Sequence, residues 1–433
     1  MIPISRYQRR RVHLSKSMGQ GIAIIPTAPE RARNRDAHYL YRFDSYFYYL
    51  TGFMEPEAVV VVIAGNSPRS ILFCREKNIT REIWDGYRHG PKAAQKTFAF
   101  DEAYPIAKLD EMMPKLIADQ PALHYPIGAY AEWDSRVVGW LNRVKAQVRS
   151  GITAPSEIQD VCSVLDHMRL IKDADEIKVM RSAAQIATDA HRRAMQTTRP
   201  GMMEYEVEAE LVHEFRRRGA QAPAYTSIVA GGSNACVLHY VENNAELHDG
   251  DLLLIDAGCE LDGYASDITR TFPVNGAFSP AQRDVYELVL AAQAKGIDAV
   301  KPNAPFEAYH QAALRVLVRG MIDLKLCEGS VDKVIESGDY RQFFMHRTGH
   351  WLGLDVHDAG DYKKDGKSVK LEPGMVVTVE PGCYIRPAKN VPKAFWNIGI
   401  RIEDDVLVTK SGREVLTSPP KTVREIEQVM QRP

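Results

Sequence analysis

The chain has 433 residues, 26% of them charged and 45% apolar, with a formal net charge of -1. That length exceeds what a single hydrophobic core usually supports, so two domains are expected. The balanced charge and the lack of a basic run speak against nucleic acid or an acidic membrane surface as a partner, and no apolar stretch approaches the roughly 18 residues that cross a bilayer.

Met1 to Arg11 lacks the apolar segment of a signal peptide. The six cysteines are scattered, with no Cys-x-x-Cys pair, which predicts reduced thiols and a cytoplasmic location. Residues 1–172 read as an α/β domain. Gly21 to Pro26, Ala58 to Ile63 and Ser70 to Cys74 are strand-like, and Asp101 to Ala118 and Tyr130 to Val148 are helix-like. Their alternation suggests a mixed or largely parallel sheet. The aromatic run Tyr39 to Phe53 suits a core or an interface, and Trp84, among charges and beside Gly86, suits a loop tip. Gly151 to Leu170 reads as a linker.

The second domain, 173–433, opens with a long helix. Asp173, Asp175 and Glu176 are acidic at its first turn, where the helix dipole favours them. Ile177, Met180, Ala184 and Ala187 recur at helical spacing, and Arg199-Pro-Gly ends the pattern. A helix from Tyr205 to Arg218 follows, then short strands at Tyr225 to Val229 and Val237 to Val241. Further helices are expected at Pro280 to Val300 and Pro305 to Val318, with strand and loop in the remaining third.

Between these helical pairs lies Leu252 to Arg270, which the rest of the domain brackets. The apolar run Leu252 to Ile255 ends on Asp256, Asp262-Gly263 is a hairpin signal, and a second strand carries Asp267, Ile268 and Thr269. Opposed residues across a two-residue loop sum to an odd number. Asp256 and Asp267 do so, which places both on one face. Paired carboxylates there repel each other unless a cation lies between them. One solvated acid and one turn acid would also fit the pair by itself.

Three later segments carry further candidates. His346-Arg-Thr-Gly-His350 and His357 put three histidines within a short glycine-containing stretch. Arg347 stands where a helical zinc motif needs its glutamate, so a loop leading into a strand, Leu352 to Val356, is expected instead. Glu380 ends a β-rich run just before Pro381. Arg401 and Glu403 share one face of an alternating strand, with Ile400 and Ile402 on the other. Each acid alone fits a surface salt bridge. Together, Asp256, Asp267, Glu380 and Glu403 carry the charge of two divalent cations, and His350 adds a nitrogen donor. A carboxylate-rich set favours Mn²⁺ or Co²⁺, with Zn²⁺ possible. Two such ions about 3.5 Å apart share a hydroxide and polarise a carbonyl.

This ordered set resembles the five-ligand pattern of the pita-bread metallopeptidases, which include methionine aminopeptidase, prolidase and aminopeptidase P. Tyr49-Leu-Thr-Gly-Phe53, Glu55-Pro-Glu57, Leu238-His-Tyr240, His350-Trp-Leu-Gly-Leu-Asp-Val-His-Asp358 and Gly399-Ile-Arg-Ile-Glu-Asp-Asp405 are similar to the bacterial aminopeptidase P group over nearly the whole chain. The resemblance implies an α/β N-terminal domain, an α+β pita-bread catalytic domain, and two Mn²⁺ ions. Asp256 would hold one ion, Asp267 and Glu403 would bridge both, and His350 and Glu380 would complete the shells.

It further implies hydrolysis of the bond before a proline in the second position by a bridging hydroxide, with Glu380 moving the proton. His239 and His357 would bind the peptide, with His346 near the leaving side. Arg401 and Tyr384 would support ligands and substrate. A homotetramer or dimer would bring Asp36 and Trp84 of one copy to the site of another. A prolidase-type dipeptidase and a non-catalytic peptide-binding protein of the same fold are the alternatives.

Overall fold

A computed structural model describes residues 2–431. By their internal contacts the residues form two units, Met1–Arg169 and Leu170–Pro433.

In the first unit, strands Gly21–Pro26 and Val59–Ala64 are buried at every position. A strand covered on both faces needs a continuous apolar run, which is what these segments supply. They lie at the middle of a six-stranded sheet ordered Glu102–Pro105, Arg69–Cys74, Val59–Ala64, Gly21–Pro26, Ala122–Tyr125, Glu157–Asp160. The central pairings are antiparallel and the outer ones parallel, so the sheet is mixed. Met113 and Ile117 from helix Leu109–Ile117, and Val137, Trp140 and Val144 from helix Ala131–Lys145, pack on it.

Three expectations change in this unit. The helix expected from Asp101 begins only at Leu109, because Glu102–Pro105 joins the sheet edge; Pro105 disfavours helical geometry at Tyr104. The expected linker Gly151 to Leu170 holds strand Glu157–Asp160 and helix Cys162–Leu170. That strand is exposed throughout, so it has no apolar signature to read. Trp84 sits on a short helix, Ile79–Asp85, rather than on a loop.

In the second unit, helices Ala174–Thr197 and Glu204–Arg217 pack together, as do Pro280–Ala299 and Glu307–Asp323. The first helix starts on a capping box. Asp173 accepts from the amides of Asp175 and Glu176, and Glu176 accepts from Asp173 N–H at 2.8 Å. The helices share a core with the strands through Val207, Phe215, Ile255, Phe272, Val289 and Leu317. The strands form short antiparallel sheets: Ile228–Gly231, Leu252–Asp256 and Thr269–Pro273; Val376–Val379, Asp404–Thr409 and Gly412–Val415; and the pair Gly382–Ile385 with Ile398–Arg401.

The central hairpin keeps one register from Leu252↔Pro273 and Asp256↔Thr269 to Glu260↔Ala265 and Leu261↔Tyr264. Its turn residues Asp262 and Gly263 have φ of 48° and 81°, both positive as a type I′ turn requires. Val237 to Val241 and Leu352 to Val356 are not strands. The first is held by side chains described below, and Gly353 N–H closes a tight turn on Asp355 O at 3.1 Å in the second. The last third also contains helices Val331–Ser337 and Val423–Met430. All six cysteines are free thiols, and among the described residues no helix is long and apolar enough to cross a membrane.

Gly258 lies inside the hairpin where a Cβ would stand 1.7 Å from Ser266 O, a backbone atom that cannot step aside. Gly139, exposed within helix Ala131–Lys145, has open space at that position. Gly258→Ala is therefore expected to lower stability by about 3 kcal/mol or more, and Gly139→Ala to raise it by about 1 kcal/mol. Denaturant unfolding of the two variants checks both signs.

Candidate metal centre

The acids of the second unit arrive from separate strand ends. Asp256 ends strand Leu252–Asp256, and Asp267 precedes strand Thr269–Pro273. Glu380 follows Val376–Val379 directly. Glu403 lies in the break between Ile398–Arg401 and Asp404–Thr409, so the single strand expected across Arg401 and Glu403 is interrupted there. Arg401 and Glu403 are both buried, as are Ile400 and Ile402, so neither side of this segment is solvated.

The Tyr225 hydroxyl lies 2.6 Å from Asp256 Oδ1 and 2.5 Å from Asp267 Oδ1, so its one hydrogen is shared between the two carboxylates. Arg401 Nη2 donates to Asp256 Oδ2 at 2.7 Å. His350 Nε2 is 3.5 Å from Asp267 Oδ2 and 3.6 Å from Glu380 Oε1. Its Nδ1 lies 2.9 Å from Trp351 O, a partner that only accepts, so Nδ1 carries the hydrogen and the Nε2 lone pair faces the acids when the ring is neutral. Thr269 Oγ1 donates to Glu403 Oε2 at 2.7 Å and accepts from Arg401 Nε at 3.1 Å. Asp267, His350 and Glu403 each offer a donor atom within 4.8 Å of the others.

The electrostatics of this cluster are unbalanced. Burial opposes ionisation of Asp256, but Arg401 and the Tyr225 hydrogen bond outweigh it and hold its carboxyl below the usual range. Among the described residues no second guanidinium or ammonium is paired with the others. Asp267 and Glu380 share the His350 imidazole, whose protonation burial opposes, but which the Asp267 hydrogen bond and the Glu380 charge raise to about 9. Burial, then the Asp256 charge, raises Asp267. Burial, then Asp267, raises Glu403 well above the ordinary range. Burial, opposed by His350 and Arg401 and reinforced by Asp267, raises Glu380 to about 7. A hard divalent cation among these oxygens would supply the missing countercharge and, by displacing the His350 proton, would find a lone pair on its Nε2. The donor set thus fits metal binding.

The centre opens into a cavity of about 730 Å³ that His239, His346 and His357 also line. The His350 and His357 rings meet edge to face at 4.3 Å. A relay of hydrogen bonds fixes His346. Arg401 Nη1 donates to Tyr384 Oη at 2.9 Å, Tyr384 donates to His346 Nε2 at 2.8 Å, and His346 Nδ1–H donates to Arg347 O at 2.6 Å. Burial, then Arg401, pushes His346 down to about 3, so the ring is neutral.

Sequence and structural comparisons agree on the relationship. The model of metallopeptidase family M24 matches residues 178–410, and that of the aminopeptidase P N-terminal domain matches residues 7–124. Xaa-Pro aminopeptidase of Escherichia coli K12 is 45% identical, over 99% of this chain and 99% of that protein. Aminopeptidase PepP of Pseudomonas aeruginosa superposes with a TM-score of 0.98 at 50% identity, covering 99% of this chain and 98% of that one. A zinc-substituted Escherichia coli aminopeptidase P in complex with product gives 0.97 at 44%, with 99% and 98% covered.

The chain belongs to metallopeptidase family M24, among the Xaa-Pro aminopeptidases.

The structure of this M24 chain brings Asp256, Asp267, His350, Glu380, Glu403, His239, His346, His357 and Arg401 to one cavity, with Tyr384 bonded behind it. Asp36 and Trp84 are not among the residues lining it. Both are exposed on the first unit, Asp36 in the turn between strands Ala32–Asn34 and Ala37–His38. Tyr225, Thr269 and Thr378 were not singled out from sequence. Thr378 Oγ1 accepts from His350 N–H at 3.0 Å and lies 3.3 Å from Glu380 Oε1. Thr269 had a signal, since period-two alternation puts it on the face of Asp267. Tyr225 precedes its strand and has none.

Thr269→Val keeps the shape but removes the hydroxyl that orients Glu403 and receives Arg401. Mn²⁺ binding measured by calorimetry is expected to weaken about 10- to 100-fold. Unchanged affinity would remove Thr269 from the support of the centre.

Proposed function

We propose that this chain hydrolyses the bond between an N-terminal residue and a following proline, with two divalent cations held by Asp256, Asp267, His350, Glu380 and Glu403. The observation that carries the reading is the convergence of two buried carboxylates, Asp267 and Glu403, two partly exposed ones, Asp256 and Glu380, and the Nε2 atom of His350, in a cavity of peptide-binding size. Manganese is the proposed native metal, with cobalt or zinc as substitutes; the zinc-substituted Escherichia coli relative supports such exchange. When bound, the cation pair supplies Lewis acidity toward the scissile carbonyl and a hydroxide nucleophile at neutral pH.

The protein's own groups divide the remaining work. Asp256, Asp267 and Glu403 would help hold the cations, and Arg401 keeps the Asp256 carboxylate ionised and aimed. Glu380 would take the nucleophile's proton and return it to the proline nitrogen, as a carboxylate beside the nucleophile can. His239 and His357, both exposed to the cavity, bind the peptide carbonyl. Tyr384, tied to Arg401, holds His346 in place on the leaving side, where burial and Arg401 keep the ring neutral. A proline nitrogen carries no hydrogen, so a site with no acceptor for it loses nothing by taking proline.

A homo-oligomer, tetramer or dimer, is proposed on the exposed apolar side chains Ile79, Ile83, Trp84 and Tyr87 of the first unit, and it would give Trp84 and Asp36 a role at another copy's site. The six unpaired cysteines support a cytoplasmic home.

The test uses chelator-stripped protein with Mn²⁺ restored, given an Xaa-Pro-Xaa tripeptide and an Xaa-Pro dipeptide. Metal-dependent release of the first residue from the tripeptide is expected. Cleavage of the dipeptide alone would make the chain a prolidase-type dipeptidase, and cleavage of neither would leave a peptide-binding protein. Glu380→Gln should lower kcat by about 10²- to 10⁴-fold. His239→Ala should lower turnover with metal still bound. Wild-type rates in either variant would remove the role given to that residue.

A further inference from the structure

Glu204 opens the helix Glu204–Arg217 and is 0% exposed. A buried carboxylate normally has a cation beside it, yet among the described residues none is paired with Glu204. Hydrogen-bond donors take that place. Oε1 accepts from Gly231 N–H at 2.8 Å and from Asn234 Nδ2 at 3.0 Å. Oε2 accepts from the Tyr240 hydroxyl at 2.7 Å and from Ala245 N–H at 2.9 Å. The helix N-terminus adds its own favourable field.

All of these donors lie on one segment, 231–245, and that segment carries His239 into the cavity. From Val237 to Ala245 it has neither helix nor strand to hold it. Glu204 grips it before His239, at Gly231 and Asn234, and after it, at Tyr240 and Ala245. The adjacent residues face opposite ways, with Tyr240 buried against the carboxylate and His239 exposed to the cavity. Asn243 fixes the return of the loop, accepting from Val229 N–H at 3.0 Å and donating to Ser227 O at 2.9 Å.

We propose that Glu204 is a positioning residue for His239: its carboxylate, bonded to the loop on both sides of that histidine, sets where the imidazole meets the peptide. The proposal rests on the peptide-binding role given to His239 above. Only a carboxylate accepts at both oxygens. In Glu204→Gln the amide nitrogen faces backbone N–H donors at whichever oxygen it replaces, and at least one of those bonds is lost. Tyr240→Phe removes a single oxygen beside His239 and leaves the packing in place.

The experiment is a double-mutant cycle on the Mn²⁺-loaded enzyme with an Xaa-Pro-Xaa tripeptide. Glu204→Gln and Tyr240→Phe are each made in the wild-type chain and in His239→Ala. In the wild-type chain each is expected to lower kcat/KM by about 10- to 100-fold, as small misplacements of a substrate-binding group do. In His239→Ala the same changes should alter kcat/KM by less than about twofold, because the group they position is gone. Mn²⁺ affinity should stay unchanged in all of them. Equal losses in both backgrounds would mean a merely structural role and overturn the proposal, as would full activity of Tyr240→Phe in the wild-type chain. His239→Ala with wild-type activity would overturn the role of His239 and the proposal with it, while tripeptide cleavage by the unmutated enzyme reports separately on the reaction. Should Glu204→Gln fail to fold, Tyr240→Phe decides.

Discussion

Mutual repulsion among Asp256, Asp267, Glu380 and Glu403 is the constraint around which the second unit is arranged. All four are drawn into one cluster, Asp267 and Glu403 buried and Asp256 and Glu380 partly exposed, and among the described residues only Asp256 has a guanidinium of its own. Burying like charges without compensation is among the costliest things a fold can do. The structure answers with hydrogen bonds where it can. The Tyr225 hydroxyl is shared between Asp256 and Asp267, Thr269 donates to Glu403, and Thr378 lies beside Glu380. In the proposed function divalent cations would complete the balance, so the residues proposed to bind metal are those that a cation would stabilise.

Behind the cluster a second buried charge system holds the backbone that presents it. Arg270 is fully buried and donates to Asp404 Oδ1 at 2.7 Å and to Glu403 O at 2.6 Å. Gln293, Thr417 and Lys421 also donate to Asp404. Burial opposes ionisation of Asp404, but Arg270 and Lys421 outweigh it and bring its carboxyl down to about 2. The neighbouring acids Glu403 and Asp404 thus differ in kind. Asp404 is saturated by its own protein and locks the strand, whereas Glu403 is left with oxygen lone pairs facing the cavity. The histidines follow a similar logic. His239 and His357 are exposed, but the residue after each is buried and anchored. Tyr240 bonds Glu204, and Asp358 pairs with Lys172 at 2.8 Å.

What the sequence made legible follows from which forces act locally. Continuous apolar runs announced strands such as Val59–Ala64, and the I′ turn at Asp262-Gly263 fixed a register in which parity alone put Asp256 and Asp267 on one face. The α/β first domain and pita-bread second domain implied by the motifs agree with the family models and superpositions. Elements without a local signature were misread. The exposed edge strand Glu157–Asp160 is defined by its partner rather than by its own residues. Val237 to Val241 and Leu352 to Val356 have strand-like composition, but distant side chains and a tight turn decide their path. Tyr225 touches the centre only because the chain folds back over it, which no spacing in sequence encodes.

The central claim is that this carboxylate cluster exists to hold a pair of divalent cations. Anomalous scattering from crystals grown with Mn²⁺ tests it most directly. Two peaks are predicted, about 3.5–4 Å apart, both within bonding reach of Asp267 and Glu403. A single peak, or none in a crystal whose Asp256, Asp267, Glu380 and Glu403 remain in place, would contradict the account.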